Sequence, residues 1–428
     1  MLKYLTIQNF KSFCKPQTFT MEADTDRVSE KRDTLITIGK NQLLRTASFY
    51  GPNGSGKSNL IKGLKFLKKA VMRDSFLLNG FSEDSIYSSC YFCDSKIISE
   101  QVIFCDEKYE YTYTFDATIA KEKQDDDFVN DLFGYRDDIV ANFVGEKIEF
   151  KPLDEPDDHY ETLLERTKEG KIITKYFSSL NYLKSITLGQ TISAIKYIYD
   201  SNINLNSTDR PEEFNILLGL YNQISSLSSL NTQSLFADVN IIRSIWLQPD
   251  NKAYLEFLND FDLKIKTLEF VKSNRSYKMK IIRSVQGKDV AFNFSDESDG
   301  TQRIISIATR LYLNKGHDVI FYCDDLDSQL HPKIVQALIK LFHDGRIGNK
   351  QLIFNSHDLV NMNKENFRRD EIWLTYKDEN SSTVIVPLSN ITNSENKQIR
   401  KDESYNKRYL EGRYGADPFV AKALHYND

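Results

Sequence analysis

Gly51-Pro52-Asn53-Gly54-Ser55-Gly56-Lys57-Ser58 is the stretch whose reading decides the fold. It satisfies the pattern G-x-x-x-x-G-K-[ST] in full. Glycines let consecutive backbone N–H groups point into one cavity and meet phosphate oxygens, and a side chain at Gly56 would obstruct that approach. Lys57 supplies a point charge for β- and γ-phosphates, and the Ser58 hydroxyl is a hard ligand for Mg²⁺. The flanks agree with this. Residues 47–50 read as a strand, and residues 59–73 read as an amphipathic helix whose N-terminal dipole adds to the anion site. Leu60, Leu64, Leu67 and Val71 share one face of that helix, and Lys62, Lys65, Lys69 and Arg73 share another. The basic stripe reads first as a solvated face.

Far along the chain, Val319-Ile320-Phe321-Tyr322-Cys323 is an unbroken apolar run, the signature of a buried parallel strand. It ends in Asp324-Asp325, where open α/β sheets bind their ligands. Asp324 is the natural partner of Mg²⁺, and Asp325 is placed to polarise an attacking water. Asp327-Ser328-Gln329-Leu330-His331-Pro332 follows, and then a second apolar run, Leu352-Ile353-Phe354, delivers Asn355-Ser356-His357-Asp358. Ser356, His357 and Asp358 are hydrolase residue types, but adjacent positions cannot make a nucleophile–base–orienter geometry. A histidine at the end of a parallel strand can instead contact a γ-phosphate. Between the glycine loop and the aspartates stands Glu297-Ser298-Asp299-Gly300-Thr301-Gln302, just before a helical run carrying Ile304, Ile305, Ala308 and Leu311. Ser298 is an N-cap there, and the turn's N–H groups form another anion site.

The whole composition fits a folded protein. The chain has 428 residues, 40% of them hydrophobic and 27% charged, which excludes a disordered chain. A net charge of −5 argues against a general nucleic-acid coat, although a local basic groove stays open. No apolar run approaches a membrane span, and the first residues do not read as a signal peptide, so a cytoplasmic protein is expected. The cysteines Cys14, Cys90, Cys93, Cys105 and Cys323 are odd in number and scattered, as suits a reducing compartment. Cys90 and Cys93 form one CxxC without a second pair at zinc-finger spacing. Tyr87, Tyr91 and Phe92 around it read as strand, so a metal site is not expected there.

Alternation over residues 97–119 predicts a β-hairpin, residues 121–138 read as an exposed acidic stretch, and residues 160–260 read as mostly helical. The expected organisation is therefore an N-terminal half of an α/β head over 1–120 and an inserted, mostly helical region over 121–261. The C-terminal half of the head follows over 262–391, with a charged tail over 392–428.

The order of the pieces resembles that of ABC-type ATPase heads: phosphate loop, long insertion, Ser-x-Gly turn, aspartate strand, aspartate loop, strand-end histidine. The opening strand, Ile7-Gln8-Asn9-Phe10-Lys11-Ser12-Phe13, is similar to that of the SMC/RecF/OLD branch. Four stretches resemble the compact ATPases of bacterial anti-phage and abortive-infection systems, the RloA/AbiLi-like group that includes the PARIS ATPase AriA. They are Glu297-Ser298-Asp299-Gly300-Thr301, Leu326-Asp327-Ser328-Gln329-Leu330-His331-Pro332, Arg369-Asp370-Glu371-Ile372-Trp373 and Tyr409-Leu410-Glu411-Gly412-Arg413-Tyr414-Gly415-Ala416. The similarity covers residues 1–75 and 262–418.

The resemblance implies an ABC-type P-loop head with an antiparallel β-lobe, taking ATP and Mg²⁺. Nucleotide contacts fall on the run Asn53-Gly54-Ser55-Gly56-Lys57-Ser58-Asn59, metal contacts on Ser58 and Asp324, and catalysis on Lys57, Asp325 and His357. It further implies that Ser298 and Gly300 meet the γ-phosphate held by an opposite protomer, that Asp327 sits at the dimer interface, and that His357 senses the γ-phosphate. The protein is then a homodimer or higher oligomer. One position departs from the family, where Glu usually follows the metal-binding Asp and this chain has Asp325. The carboxylate is one CH₂ shorter, and misplacement of a reacting group by about 1 Å can cost roughly 10²-fold in rate. The glutamine that usually follows the first helix cannot be placed; Gln101 offers itself. The expected function is a sensor or regulatory ATPase of phage defence. The residues after His357 carry no clustered acidic or HNH-type nuclease signature, so the effector nuclease or toxin is expected in trans. The alternative is a DNA-repair or DNA-tethering head, against which the missing heptads and the negative charge count. No NKxD motif supports a GTPase.

Overall fold

A computed structural model of the chain describes residues 1–24, 34–72, 89–90, 93–123, 137–154, 159–175, 183, 186–202, 211–231, 235–273, 276–391 and 404–414. Arg73 of the basic stripe, the strand expected around Tyr87, Tyr91 and Phe92, most of the acidic stretch (124–136), and Gly415-Ala416 of the tail lie outside the described residues.

The chain opens with β1 (Leu2–Gln8), β2 (Gln17–Thr20), the small hairpin β3 (Leu35–Ile38) and β4 (Asn41–Leu44), and then β5 (Thr46–Tyr50). The helix Lys57–Met72 follows the glycine loop. Next come β6 (Ile98–Cys105), β7 (Tyr109–Lys123), β8 (Asp137–Pro152), β9 (Glu161–Arg166) and β10 (Ile172–Ile173). Among the described residues, four helices between Ala194 and Asn259 flank the short β11 (Leu227–Ser229). A meander, β12 (Thr267–Ser273), β13 (Ser276–Val285) and β14 (Lys288–Asn293), leads to the helix Asp299–Leu313. The chain then alternates β15 (Val319–Cys323), the helix Pro332–His343 and β16 (Lys350–Asn355), and ends the head with the hairpin β17 (Ile372–Lys377) and β18 (Thr383–Pro387).

The central sheet has the order β11-β15-β16-β5-β17-β18, parallel throughout except for its last strand. Strand β16 thus lies between the strand that feeds the glycine loop and the strand that carries the aspartates. All three point their C-terminal ends the same way, which is what brings distant sequence motifs to one edge. Period-2 alternation divides the sheet's residues between two cores. Ile320, Tyr322, Ile353 and Trp373 join Leu60, Leu64, Leu67 and the β-lobe on one face. Phe321, Cys323, Leu352, Phe354, Ile372 and Leu374 join Ile304, Ala308, Leu311, Val335 and Leu338 on the other. Both faces of β15 and β16 are covered, so every one of their residues is buried.

The β-lobe is a seven-stranded antiparallel sheet of order β10-β9-β8-β7-β6-β1-β2. It is larger than the expected hairpin, because β7 pairs with β8 along its whole length, from Tyr109↔Pro152 to Lys123↔Asp137. The helical stretch expected from about residue 160 begins at Ala194 instead, and Glu161–Arg166 extends the lobe. The physical reason is a buried ion pair. Arg166 and Glu146 have fully buried side chains 2.7 Å apart, with Tyr113 donating to the same carboxylate. Arg166, a charge that looks like a helix surface in sequence, is inside here because Glu146 partners it, while Glu161 and Glu165 stay exposed. Gln101 lies on the exposed face of β6, where it donates to Thr114, away from the strand ends of the central sheet.

Candidate nucleotide-binding site

The glycine loop begins where β5 ends. Ser55 N–H donates to Pro52 O (3.2 Å) and Asn59 N–H to Gly56 O (3.0 Å), closing the loop onto its helix. Gly54 and Gly56 have φ of +76° and +110°, conformations that side chains disfavour. A Cβ on Gly54 would meet open space, whereas a Cβ on Gly56 would strike the Thr383 hydroxyl, and one on Gly51 would strike the Thr375 carbonyl. The hairpin of β17 and β18 therefore supports the loop from behind. Ser55 Oγ lies 2.6 Å from Thr375 Oγ1, and Thr383 Oγ1 donates to Ser55 O (2.7 Å). The Lys57 ammonium donates to Gly51 O (2.7 Å) and Pro52 O (3.0 Å), curled over the loop. Burial pulls its pKa down, against the attraction of Asp325, Asp324 and Asp327. Asn53 and Gly54 form the exposed crest of the loop.

Asn355, at the tip of β16, ties the loop to the aspartate strand. Its Nδ2 donates to Asp324 Oδ1 (2.6 Å) and to Ser58 Oγ (3.3 Å), while its Oδ1 accepts from Asp325 N–H. Asn231 holds Asp324 from the other side, donating to its carbonyl (2.7 Å) and accepting from its N–H (2.8 Å). Neither asparagine carried a role in the sequence reading. The signal for Asn355 is the one that marked Asp324: a polar residue ending an otherwise buried apolar strand. Ser58 Oγ and Asp324 Oδ1 are thus two hard oxygen donors held beside one amide. With the open crest at Gly54, this donor set fits Mg²⁺ and a polyphosphate.

Asp325 sits at φ +50°, turned out of the strand direction, with its carboxylate half-exposed and 3.8 Å from His357 Nε2. Burial raises its pKa first and the charge of Asp324 second, with Asp327 adding to them and His357 and Lys57 opposing. Asp327 accepts from the backbone N–H of His357 (3.2 Å). The structure therefore brings Lys57, Ser58, Asp324, Asp325, Asp327 and His357 to one edge of one sheet.

Ser298 and Gly300 are placed differently. The exposed Ser298 hydroxyl caps the helix Asp299–Leu313 by accepting from Thr301 N–H (3.2 Å). Gly300 packs on the aspartate loop, where an added Cβ would lie 2.5 Å from Gln329 O. Gln329 donates to Asp299 (3.2 Å), and Arg303 donates to Asp325 O (2.6 Å). The resemblance stretch at 369–373 is structural. Glu371 is fully buried and bonds Thr46 (2.8 Å), His343 (2.7 Å) and Arg368 N–H (2.7 Å), anchoring the start of β5.

A parallel sheet with a glycine loop after one strand, paired aspartates two strands away and a polar residue on the strand between defines a P-loop nucleotide-binding head. The chain belongs to the family described as "AAA domain, putative AbiEii toxin, Type IV TA system", whose model matches residues 47–363. Among solved structures, the SMC head domain from Thermotoga maritima aligns at 15% identity over 90% of this chain and 98% of that one, with a TM-score of 0.40. An SmcHead bound to the C-winged helix domain of ScpA aligns at 10% identity over 90% and 96%, with a TM-score of 0.41. Comparison with curated proteins gives no match. Among the described residues, no helix is long and apolar enough to cross a membrane.

Proposed function

We propose that this chain binds MgATP on its glycine loop and hydrolyses it slowly, in a composite site closed by the Ser298 turn of a second copy. We further propose that it acts as the sensor or regulatory subunit of a bacterial abortive-infection system, restraining an effector nuclease or toxin that acts in trans. The observation carrying the first part is the Asn355 bridge, which sets a loop hydroxyl and a strand-end carboxylate side by side. The family's description, which names a toxin and a type IV TA system, supports the second.

In this reading Lys57 leaves the carbonyls of Gly51 and Pro52 for the β- and γ-phosphates. Backbone N–H groups of the loop between Asn53 and Ser58, apart from that of Ser55, which is held by Pro52 O, would cradle the phosphate chain. Ser58 and Asp324 would hold Mg²⁺, which when bound would supply positive charge against that of the phosphates. Asp325 accepts the proton of the attacking water, and His357, within reach of both Asp325 and the phosphate edge, donates to the γ-phosphate. Ser298 and Gly300 of the second copy offer N–H groups at a helix N-terminus to that same phosphate.

Calorimetry with ATP tests the binding step. Wild type is expected to bind and Lys57→Ala to show no measurable heat, and equal affinity for both would refute the loop assignment. Phage plating on cells carrying this gene with its neighbour tests the role. Protection lost in Lys57→Ala supports it, whereas no protection together with salt-sensitive DNA binding by the chain alone indicates a DNA-tethering head.

A further inference from the structure

Three cysteines that the sequence scatters meet behind the glycine loop. Cys14 follows a tight turn after β1, in which Phe10 and Phe13 exchange backbone hydrogen bonds (3.1 and 2.8 Å) and Asn9 and Lys11 take positive φ of 53° and 54°. Asn9 ties this turn to the segment carrying the CxxC. Its backbone carbonyl and its Oδ1 both accept from Cys90 N–H (3.1 and 3.2 Å), and its Nδ2 donates to Ser95 O (2.7 Å) and Ile97 O (2.6 Å). The sulfurs of Cys14, Cys90 and Cys93 lie within 4.8 Å of one another. Cys14 and Cys93 are joined as a disulfide, and Cys90 is buried with a free thiol.

We propose that, with Cys14 and Cys93 reduced, Cys14, Cys90 and Cys93 form a three-thiolate site for a thiophilic d¹⁰ cation, Zn²⁺. Thiolates select such ions over the hard cations that suit Ser58 and Asp324. Tetrahedral Zn–S bonds of about 2.3 Å require sulfurs about 3.8 Å apart, a spacing inside the observed cluster once the S–S bond is opened. A dithiol reductant supplies the two electrons and two protons that convert the disulfide to thiols, being oxidised to its own disulfide; a phosphine does the same with one water, ending as its oxide. Zn²⁺ then displaces three protons, one from each thiol, leaving a fourth position for water or an incoming ligand. Three thiolates around Zn²⁺ carry one net negative charge. Lys377, which interacts electrostatically with Cys90 and donates to Thr383 (3.1 Å), stands beside them to offset it.

The site's location gives it leverage. Cys14 N–H donates to Ser382 Oγ (3.0 Å), and Thr383 N–H donates to Ser12 O (2.7 Å). Ser12 Oγ accepts from Asn59 (2.7 Å), and Thr383 supports Ser55. A metal here fastens Cys90 and Cys93 to the N-terminal turn, which is itself hydrogen-bonded to the hairpin on which the glycine loop rests. This holds whether or not the loop takes ATP.

The test uses the full chain, purified with a phosphine reductant, incubated with Zn²⁺ and desalted. Mass spectrometry of the metal is expected to find about one zinc per chain. Co²⁺ loaded in its place is expected to show the sulfur-to-cobalt charge-transfer band and the intense visible bands of a tetrahedral thiolate site. Cys14→Ser, Cys90→Ser and Cys93→Ser should each cut zinc retention at least tenfold, and Cys105→Ala should not. Zinc content unchanged in Cys90→Ser would overturn the assignment. So would a reduced wild-type protein that retains no zinc and gives no cobalt–thiolate band, which would leave the trio as a disulfide and a bystander thiol.

Discussion

Asn355 and Asp324 are hydrogen-bonded at 2.6 Å across neighbouring strands, and the same amide nitrogen reaches Ser58. The amide's other end accepts from Asp325 N–H, so one side chain fixes both aspartates against the glycine loop. Asn355→Leu removes all three contacts and leaves a half-buried carboxylate and an N–H unpaired. Loss of a group orienting metal ligands typically costs about 10–100-fold in metal affinity or activity. Titration of Mg²⁺-dependent nucleotide binding is expected to shift by that order, while metal-free binding shifts much less. Equal shifts with and without Mg²⁺ would mean that Asn355 only supports the fold.

Asp325 is a shorter carboxylate than the Glu that the family resemblance leads one to expect at this position. In single-turnover measurements Asp325→Glu is expected to raise the hydrolysis rate, and Asp325→Asn to lower it with ATP affinity intact. A slower Glu variant would show that the positive φ of Asp325 already brings the shorter side chain to the water, and that a longer one crowds the γ-phosphate.

The raised pKa of Asp325 adds two pH effects. As a base it works only when ionised, so the acid limb of the rate profile should lie above the ordinary aspartate range and vanish in Asp325→Asn. For stability the sign is opposite. A carboxyl whose folded pKa is raised favours folding below its unfolded pKa, and that contribution is lost as pH rises through the folded value. At neutral pH the ionised carboxylate beside Asp324 is a cost. Asp325→Asn should therefore melt higher than wild type at pH 7, with the difference closing in acid. Equal melting temperatures at pH 7 would contradict this.

If each site needs a second copy, Lys57→Ala and Ser298→Arg chains are each inactive alone. Their mixture should recover a fraction of wild-type hydrolysis, because one site of each hybrid dimer is intact. Wild-type activity of Ser298→Arg alone would show that each site is complete in one chain.

Gly300→Ala sets two magnitudes against each other. Alanine is the better helix former by about 1 kcal/mol at most. Its methyl group would press on Gln329 O at 2.5 Å, and overpacking against backbone costs about 1–3 kcal/mol. The variant should lose stability and displace the aspartate loop. A gain in melting temperature would show that the loop yields freely.

What the sequence made legible was local. The glycine loop, the strand of Val319–Cys323 and the cap at Ser298 are each written in a dozen residues or fewer, and each stands where its pattern placed it. What escaped depended on distant pairing. Arg166 is inside only because Glu146 is, so the polar pattern of 161–166 pointed to the wrong element. Asn355 acquires its bridging position only when β16 inserts between β5 and β15. A CxxC without a second pair said little until the turn after β1 delivered Cys14.

The contact of Gly300 with Gln329 joins a turn that faces outward to a loop whose Asp327 caps His357 at the phosphate edge. Arg303 reinforces the link by holding Asp325 O from the helix that begins at this turn. If two copies pair head to head as proposed, this link would let each subunit couple the state of its own nucleotide to contact with its neighbour's, and occupancy of the two sites would become reciprocal. Binding curves for ATP should be steeper than hyperbolic in the paired form, and hydrolysis at either site should loosen both together.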